Sequence, residues 1–300
     1  MARPRSAVRN LLEYAAARAL LAALEWLPRG AAEGLARACA RLLDKALPRL
    51  RRTALRNLEL AFPELPIERR NRIADEVFAS IARLLVVFAR LPRLNPANLG
   101  EWIRYEGFEH FEAARGRGKG VLFATAHLGN WELSAYAHGL LAEPMHVVAR
   151  PLDNPLIDAL VERRRTFAGN RLIEKKDFAR GILKALARNE AVGILVDQNA
   201  APEEGVFVPF FGVPACAHAG LAKLAARSGA AVIPGFALWS AGERRYVLRF
   251  DPALDLSGDA AADTARIQKA IEDAIRQHPG QWLWIHRRWK TRPPGEAPIY

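Results

Sequence analysis

Cysteine is almost missing from this chain: Cys39 and Cys216 are the two in 300 residues. They lie far apart without companion ligands, so neither a disulfide framework nor a cysteine zinc site is supported, and a reducing, cytosol-facing location is expected. An uncharged run long enough to cross a bilayer is missing too. The stretch LLEYAAARALLAALEWL, residues 11–27, is interrupted by Arg18 and Glu25. Its leucines favour insertion by roughly 2 to 4 kcal/mol, whereas the two charges oppose it by about 5 to 7 kcal/mol, so spanning loses. Arg18 and Glu25 are seven apart and share a helix face, leaving a Leu/Ala/Trp surface opposite. Residues 1–30 are therefore expected to form an amphipathic helix lying on a membrane, held down by Arg3, Arg5 and Arg9. The alternative is an amphipathic helix packed on its own domain. No convincing small-residue cleavage site follows, so secretion is not expected.

Several chemical signatures are absent as well. There is no G-x-S-x-G elbow for a serine nucleophile. ARGRGKGV (114–121) looks like a phosphate loop but fails as one, because its Gly-Lys precedes Gly and the loop enters a strand instead of leaving one. What is abundant is arginine, which gives a formal charge of +12 and calls for an anionic partner: nucleic acid, an acidic membrane face, or an acidic protein or substrate. No zinc finger, recognition helix or aromatic RNA-binding signature accompanies the charge, so nucleic acid is the weakest of these. No metal site is indicated.

Along the chain, helices are expected at 6–27, 30–47, about 50–61 and 66–90, punctuated by prolines. Residues 31–100 then read as a helical region packed on a core formed by 101–300. Within that core, the apolar runs 121–127, 145–150, 191–197 and 231–240 alternate with helical stretches at 131–142, 155–168, 177–188 and 216–228. Further strands are expected at 246–250 and 281–287, around a helix at 260–277. Unalternating apolar strands separated by helices indicate an α/β fold with a mainly parallel or mixed sheet flanked by helices. Ligands in such sheets bind beyond the carboxyl ends of the strands. His127, Arg150, Asp197 and Gln198 all fall at such ends.

His127 precedes Glu132 by five, as His138 precedes Glu143. Residues five apart inside one helix do not face each other, so His138 and Glu143 are read as surface residues. His127 instead ends a strand, Gly129 permits a turn, and Asn130 can cap the helix that follows. The imidazole is expected to fold back onto Glu132, which would orient it and stabilise its protonated form, making His127 a general base. With no protein nucleophile in view, the base would activate a substrate hydroxyl for direct attack on an acyl group. Arg150 would bind an anionic headgroup or steady the developing negative charge.

HLGNWE resembles the H-x-x-x-x-[DE] signature of the lysophospholipid acyltransferase superfamily, and specifically of the bacterial lipid A biosynthesis (lauroyl and myristoyl) acyltransferases. RRTALRNLELAFPELP (51–66), VVARPLDNPLID (147–158), GILVDQNA (193–200), GVFVPFFGVPA (205–215) and WLWIHRRWKTRP (282–293) are similar to further family segments. The resemblance implies a glycerol-3-phosphate acyltransferase-like fold. It also implies an enzyme on the cytoplasmic face of the inner membrane that moves a fatty acyl chain from a thioester of acyl carrier protein or coenzyme A to a glycolipid hydroxyl, with no cofactor. Carried over by position, His127 and Glu132 become catalytic. Asn130, Arg150, Asn154, Asp197, Gln198, Phe210, Gly212 and Arg287 become substrate-binding. The N-terminal helix departs from the family's clearer membrane span. An acyltransferase acting on another glycolipid or phospholipid, a lipid hydrolase, and a non-catalytic binder of anionic lipid or nucleic acid remain as alternatives.

Overall fold

The computed structural model describes residues 6–174 and 178–300, so Arg3 and Arg5 lie outside the described residues. Four helices come first: α1 (Ala7–Trp26), α2 (Arg29–Ala46), α3 (Pro48–Ala61) and α4 (Ile67–Arg90). Prolines set the joints. Pro28 and Pro66 lead into α2 and α4, and Pro48 opens α3, where a missing N–H breaks no intrahelical bond. Then follow β1 (Ile103–Glu106), α5 (Phe108–Gly116), β2 (Val121–Thr125), α6 (Trp131–Leu141), β3 (His146–Ala149), α7 (Pro155–Thr166), β4 (Arg171–Glu174), α8 (Phe178–Ala187) and β5 (Ala191–Leu195). The hairpin β6 (Gly205–Phe210) and β7 (Val213–His218) precedes α9 (Gly220–Ser228), β8 (Ala231–Ser240), β9 (Arg245–Phe250) and α10 (Ala260–Gln277).

Seven strands form one sheet in the order β1-β9-β8-β2-β5-β3-β4. Its pairs are parallel apart from β8 with β9. The fold is thus the α/β arrangement expected from the unalternating strands, and β2 shows the reason. Leu122 and Ala124 pack against α8, α9 and α10, whereas Val121 and Phe123 join the cluster holding α4, α5 and α6 residues. Both faces are covered, so both are apolar.

Two expected elements differ. Residues 281–287 are not a strand. Trp284 N–H donates to the carbonyl of Trp282 and His286 N–H to that of Leu283, so the chain turns, with one isolated bridge from Trp282 to Leu128. The alternating tryptophans are both buried, their ring centroids 4.5 Å apart, and it is this mutual packing that produces the alternation. The helix expected from 216 starts at Gly220, because Cys216–His218 complete β7.

His138 is not a surface residue. It is 1% exposed, with Phe111, Phe123 and Phe250 presenting ring edges or faces to it and no hydrogen-bond partner at either ring nitrogen among the described residues. Burial pushes its pKa down to about 4. The folded state therefore holds His138 neutral while the unfolded chain takes up a proton below its ordinary value of about 6.5. The resulting penalty is absent above about pH 6.5 and grows as pH falls towards 4. His138→Leu should accordingly gain roughly 2 kcal/mol on wild type between pH 8 and pH 5. Denaturant melts at the two pH values check this, and equal differences at both would refute it.

Candidate active site

The register of the sheet builds the site. Thr125 of β2 pairs with Leu195 of β5, so the residues two positions beyond each strand end stand opposite one another: His127 and Asp197. Asp197 is 2% exposed and fully bonded. Its Oδ1 lies 2.9 Å from His127 Nδ1. Its Oδ2 accepts from the backbone N–H of His127 at 2.9 Å and from Trp282 Nε1–H at 2.8 Å. Burial alone would raise this carboxyl's pKa, but the His127 imidazole and these donors hold it low, at about 2. The anion fixes the ring tautomer: Nδ1 carries the proton and Nε2 keeps its lone pair. Gln198 places its amide nitrogen 3.5 Å from that Nε2. For His127 itself, burial favours the neutral ring, yet Asp197 outweighs it by charge and hydrogen bond, and the pKa is raised.

Glu132 does not take the place expected of it. Gly129 adopts φ +66°, where a Cβ would sit 1.9 Å from the Ala237 carbonyl oxygen, and Asn130 then caps α6 by accepting from Leu133 N–H at 3.0 Å. The imidazole leaves this turn towards β5. Glu132, in the first turn of α6, faces α7 and receives both nitrogens of an Arg165 fork, Nη2 at 2.5 Å and Nε at 2.9 Å. Its charge still acts on His127 from the side, favouring protonation, while Arg165 opposes it.

The other residues expected to bind substrate divide sharply. Asn130 is wholly buried as a helix cap. Asn154 caps α7 by accepting from Leu156 and Ile157 N–H, and its amide donates to the Asn10 carbonyl and to Glu13, so it ties α7 to α1. Phe210 is 0% exposed and packs behind Trp282, where it shapes the site indirectly. Gly212 supplies a positive φ in the β6–β7 turn. Arg150 is exposed, with Asp153 its ion partner at 3.6 Å. Arg287 is exposed and lies over the Tyr300 ring.

Two residues escaped the sequence reading. Arg165 is hidden within the run Arg163–Arg165, which looks like a solvated helix end. His286 lies near Asp197, and its Nε2 accepts from Asn199 N–H at 3.1 Å.

A recess of about 10 Å³, room for roughly one water, adjoins His127. Val77, Ser80, Ile81 and Leu84 of α4 form one wall, and Trp131, Trp282 and Leu283 the other. Among the described residues, no group of three or more His, Cys, Asp or Glu could hold a metal ion. His127 Nε2 carries an oriented lone pair next to a small, mostly apolar recess.

Residues 4–291 match the family of bacterial lipid A biosynthesis acyltransferases. The chain is 33% identical to the lipid A biosynthesis lauroyltransferase of Escherichia coli (strain K12), over 82% of this chain and 80% of the relative. It is 32% identical to that organism's lipid A biosynthesis palmitoleoyltransferase, over 85% and 83%, and 27% identical to its lipid A biosynthesis myristoyltransferase, over 92% and 89%. A match running almost from end to end, on a sheet that sets an oriented histidine at its carboxyl edge, makes this chain an acyltransferase of the bacterial lipid A biosynthesis family.

Proposed function

We propose that the chain moves a fatty acyl group from an acyl thioester, carried on acyl carrier protein or coenzyme A, to a hydroxyl of a lipid A-type glycolipid. The observation that carries this reading is the lone pair of His127 Nε2, fixed by Asp197 beside a small, mostly apolar recess. The acceptor hydroxyl gives its proton to Nε2 as its oxygen attacks the thioester carbonyl. The tetrahedral intermediate then expels the thiolate, which takes the proton back from His127. The apolar side chains of α4 beside His127 keep bulk water from the thioester. Asp197 remains ionised throughout and holds the imidazolium.

The reading includes work at a membrane surface, with α1 as the contact. No helix among the described residues is long and apolar enough to cross a bilayer. The outer face of α1 is nonetheless apolar: Val8, Leu12 and Trp26 are 68, 66 and 71% exposed, and Ala15, Ala19 and Ala22 continue the stripe between them. Its acids turn towards the rest of the fold, whereas Arg9 and Arg18 stay exposed beside the stripe. Glu25 pairs with Arg164 of α7 at 3.6 Å and Glu13 accepts from Asn154, so Glu25 is not part of the exposed polar face expected for it. An exposed Val/Leu/Ala/Trp stripe flanked by exposed arginines suits the interface of an anionic membrane.

The test is mass spectrometry of the chain incubated with an acyl thioester and a lipid A precursor in anionic vesicles. The expected result is a precursor heavier by one acyl chain. Free fatty acid alone would replace this reading with a hydrolase. In the same preparation Leu12→Glu with Ala19→Glu should weaken vesicle sedimentation about tenfold or more, the burial of one leucine being worth about 2 kcal/mol. Unchanged sedimentation would remove α1 as the contact.

A further inference from the structure

Next to the base lies a second histidine that the proposed transfer has not used. His286 and Leu283 are one turn apart, His286 N–H donating to the Leu283 carbonyl, and Leu283 N–H donates in turn to the carbonyl of His127. This segment is anchored from behind, since Asn57 of α3 donates its side-chain amide to the carbonyls of both Trp284 and His286. The imidazole of His286 is oriented as firmly as its backbone. Asn199 N–H points at Nε2 from 3.1 Å, and because a backbone N–H can only donate, Nε2 must be the acceptor and Nδ1 must carry the proton. Asn199 directly follows Gln198, whose amide reaches His127 Nε2. Both histidines are therefore held by the same loop beyond β5.

Their tasks differ in kind. His127 has a carboxylate at Nδ1 and offers a lone pair. His286 has a donor at Nε2, offers an N–H, and is kept neutral by burial, its pKa pushed down to about 4. A neutral imidazole N–H cannot remove a proton, but it can hydrogen-bond an oxygen that gains negative charge. Its Nδ1 has no partner among the described residues and is not buried.

We propose that His286 is the oxyanion donor of this acyltransferase, its Nδ1–H bonding the thioester carbonyl oxygen as attack turns that oxygen into the anion of the tetrahedral intermediate. The assignment rests on the His127 base reading. No proton leaves His286 in the cycle. The hydroxyl proton goes to His127 Nε2, the new C–O bond forms as the carbonyl π pair moves to oxygen, and collapse breaks the C–S bond and returns the proton to sulfur.

The two nitrogens of His286 separate a donor role from a scaffold role. An asparagine amide overlays Nδ1, whereas a glutamine amide overlays Nε2 and can go on accepting from Asn199. With acyl-coenzyme A and a lipid A precursor as substrates, His286→Ala and His286→Gln should lower kcat about 10²-fold with KM little changed. His286→Asn should stay within about tenfold of wild type. Rescue by glutamine and not by asparagine, or wild-type kcat in the alanine variant, would overturn the proposal, and thermal melts of the three variants show whether each is folded. His127→Ala measured alongside keeps the two readings apart. Activity surviving in that variant would remove the base itself, whereas failure confined to the His286 series removes the oxyanion assignment alone.

Discussion

Asparagine at position 197 will lower kcat by about 10³- to 10⁴-fold, the scale of losing the correct histidine tautomer in a comparable His–carboxylate pair. The geometry forces this outcome. Two N–H donors, from the His127 backbone and the Trp282 indole, converge on Oδ2. An asparagine must put its amide oxygen there, because its NH₂ would face two donors. The NH₂ then faces Nδ1, the ring turns Nδ1 into an acceptor, and the proton moves to Nε2, where the lone pair was needed. Binding of substrate, remote from this bond, should keep KM near wild type. The pH profile adds an independent sign. In the wild type, burial works against the charged ring but Asp197 prevails, so the folded pKa lies above the ordinary 6.5. The working form is neutral, and kcat/KM should rise with pH through a limb placed above 6.5. Without the carboxylate, burial acts unopposed by Asp197, and the residual activity should show its limb at lower pH. A profile whose limb stays in place, or a kcat within tenfold of wild type, would remove Asp197 from its role.

What could be read from residues alone follows from the range of the forces. The strands at 121, 191 and 231 announced themselves because a strand covered on both faces is apolar throughout. His127 was visible as a titratable group ending such a strand. Asp197 was visible at the same sheet edge, but not as the partner of that imidazole. Asp197 is 70 residues away, and it is the placement of β5 beside β2, a property of the whole sheet, that brings the carboxylate to the ring. Glu132 lies nearer in sequence and took its place in the local reading, yet helix capping by Asn130 turns α6 so that Glu132 meets α7 instead. Phe210 and Asn154 were picked out by the resemblance, which marks positions but not whether they touch ligand or hold the groups that do. The run at 281–287 had a strand's alternation because two tryptophans share one buried cluster.

Removing both members of the Glu132–Arg165 pair should do less harm than removing either one, with a coupling of roughly 2 to 3 kcal/mol in stability. That lies somewhat below the 3 to 5 kcal/mol lost when one partner of a fully buried pair is deleted, because Arg165 keeps 24% of its side chain exposed. Glu132→Gln leaves a guanidinium without its anion near the His127 imidazole, where its charge disfavours protonation of the ring. Arg165→Gln leaves a carboxylate that is 11% exposed with its two bidentate donors gone. In the double variant neither charge remains, and the opposing influences on His127 disappear together. Activity and melting temperature should therefore both recover part of the way towards wild type relative to Glu132→Gln alone. Had Glu132 been the group that orients His127, adding Arg165→Gln could restore nothing. A double-mutant cycle read in both denaturant unfolding and kcat/KM separates the two: zero coupling in both readouts would return the orienting role to Glu132 and take it from the carboxylate across the sheet.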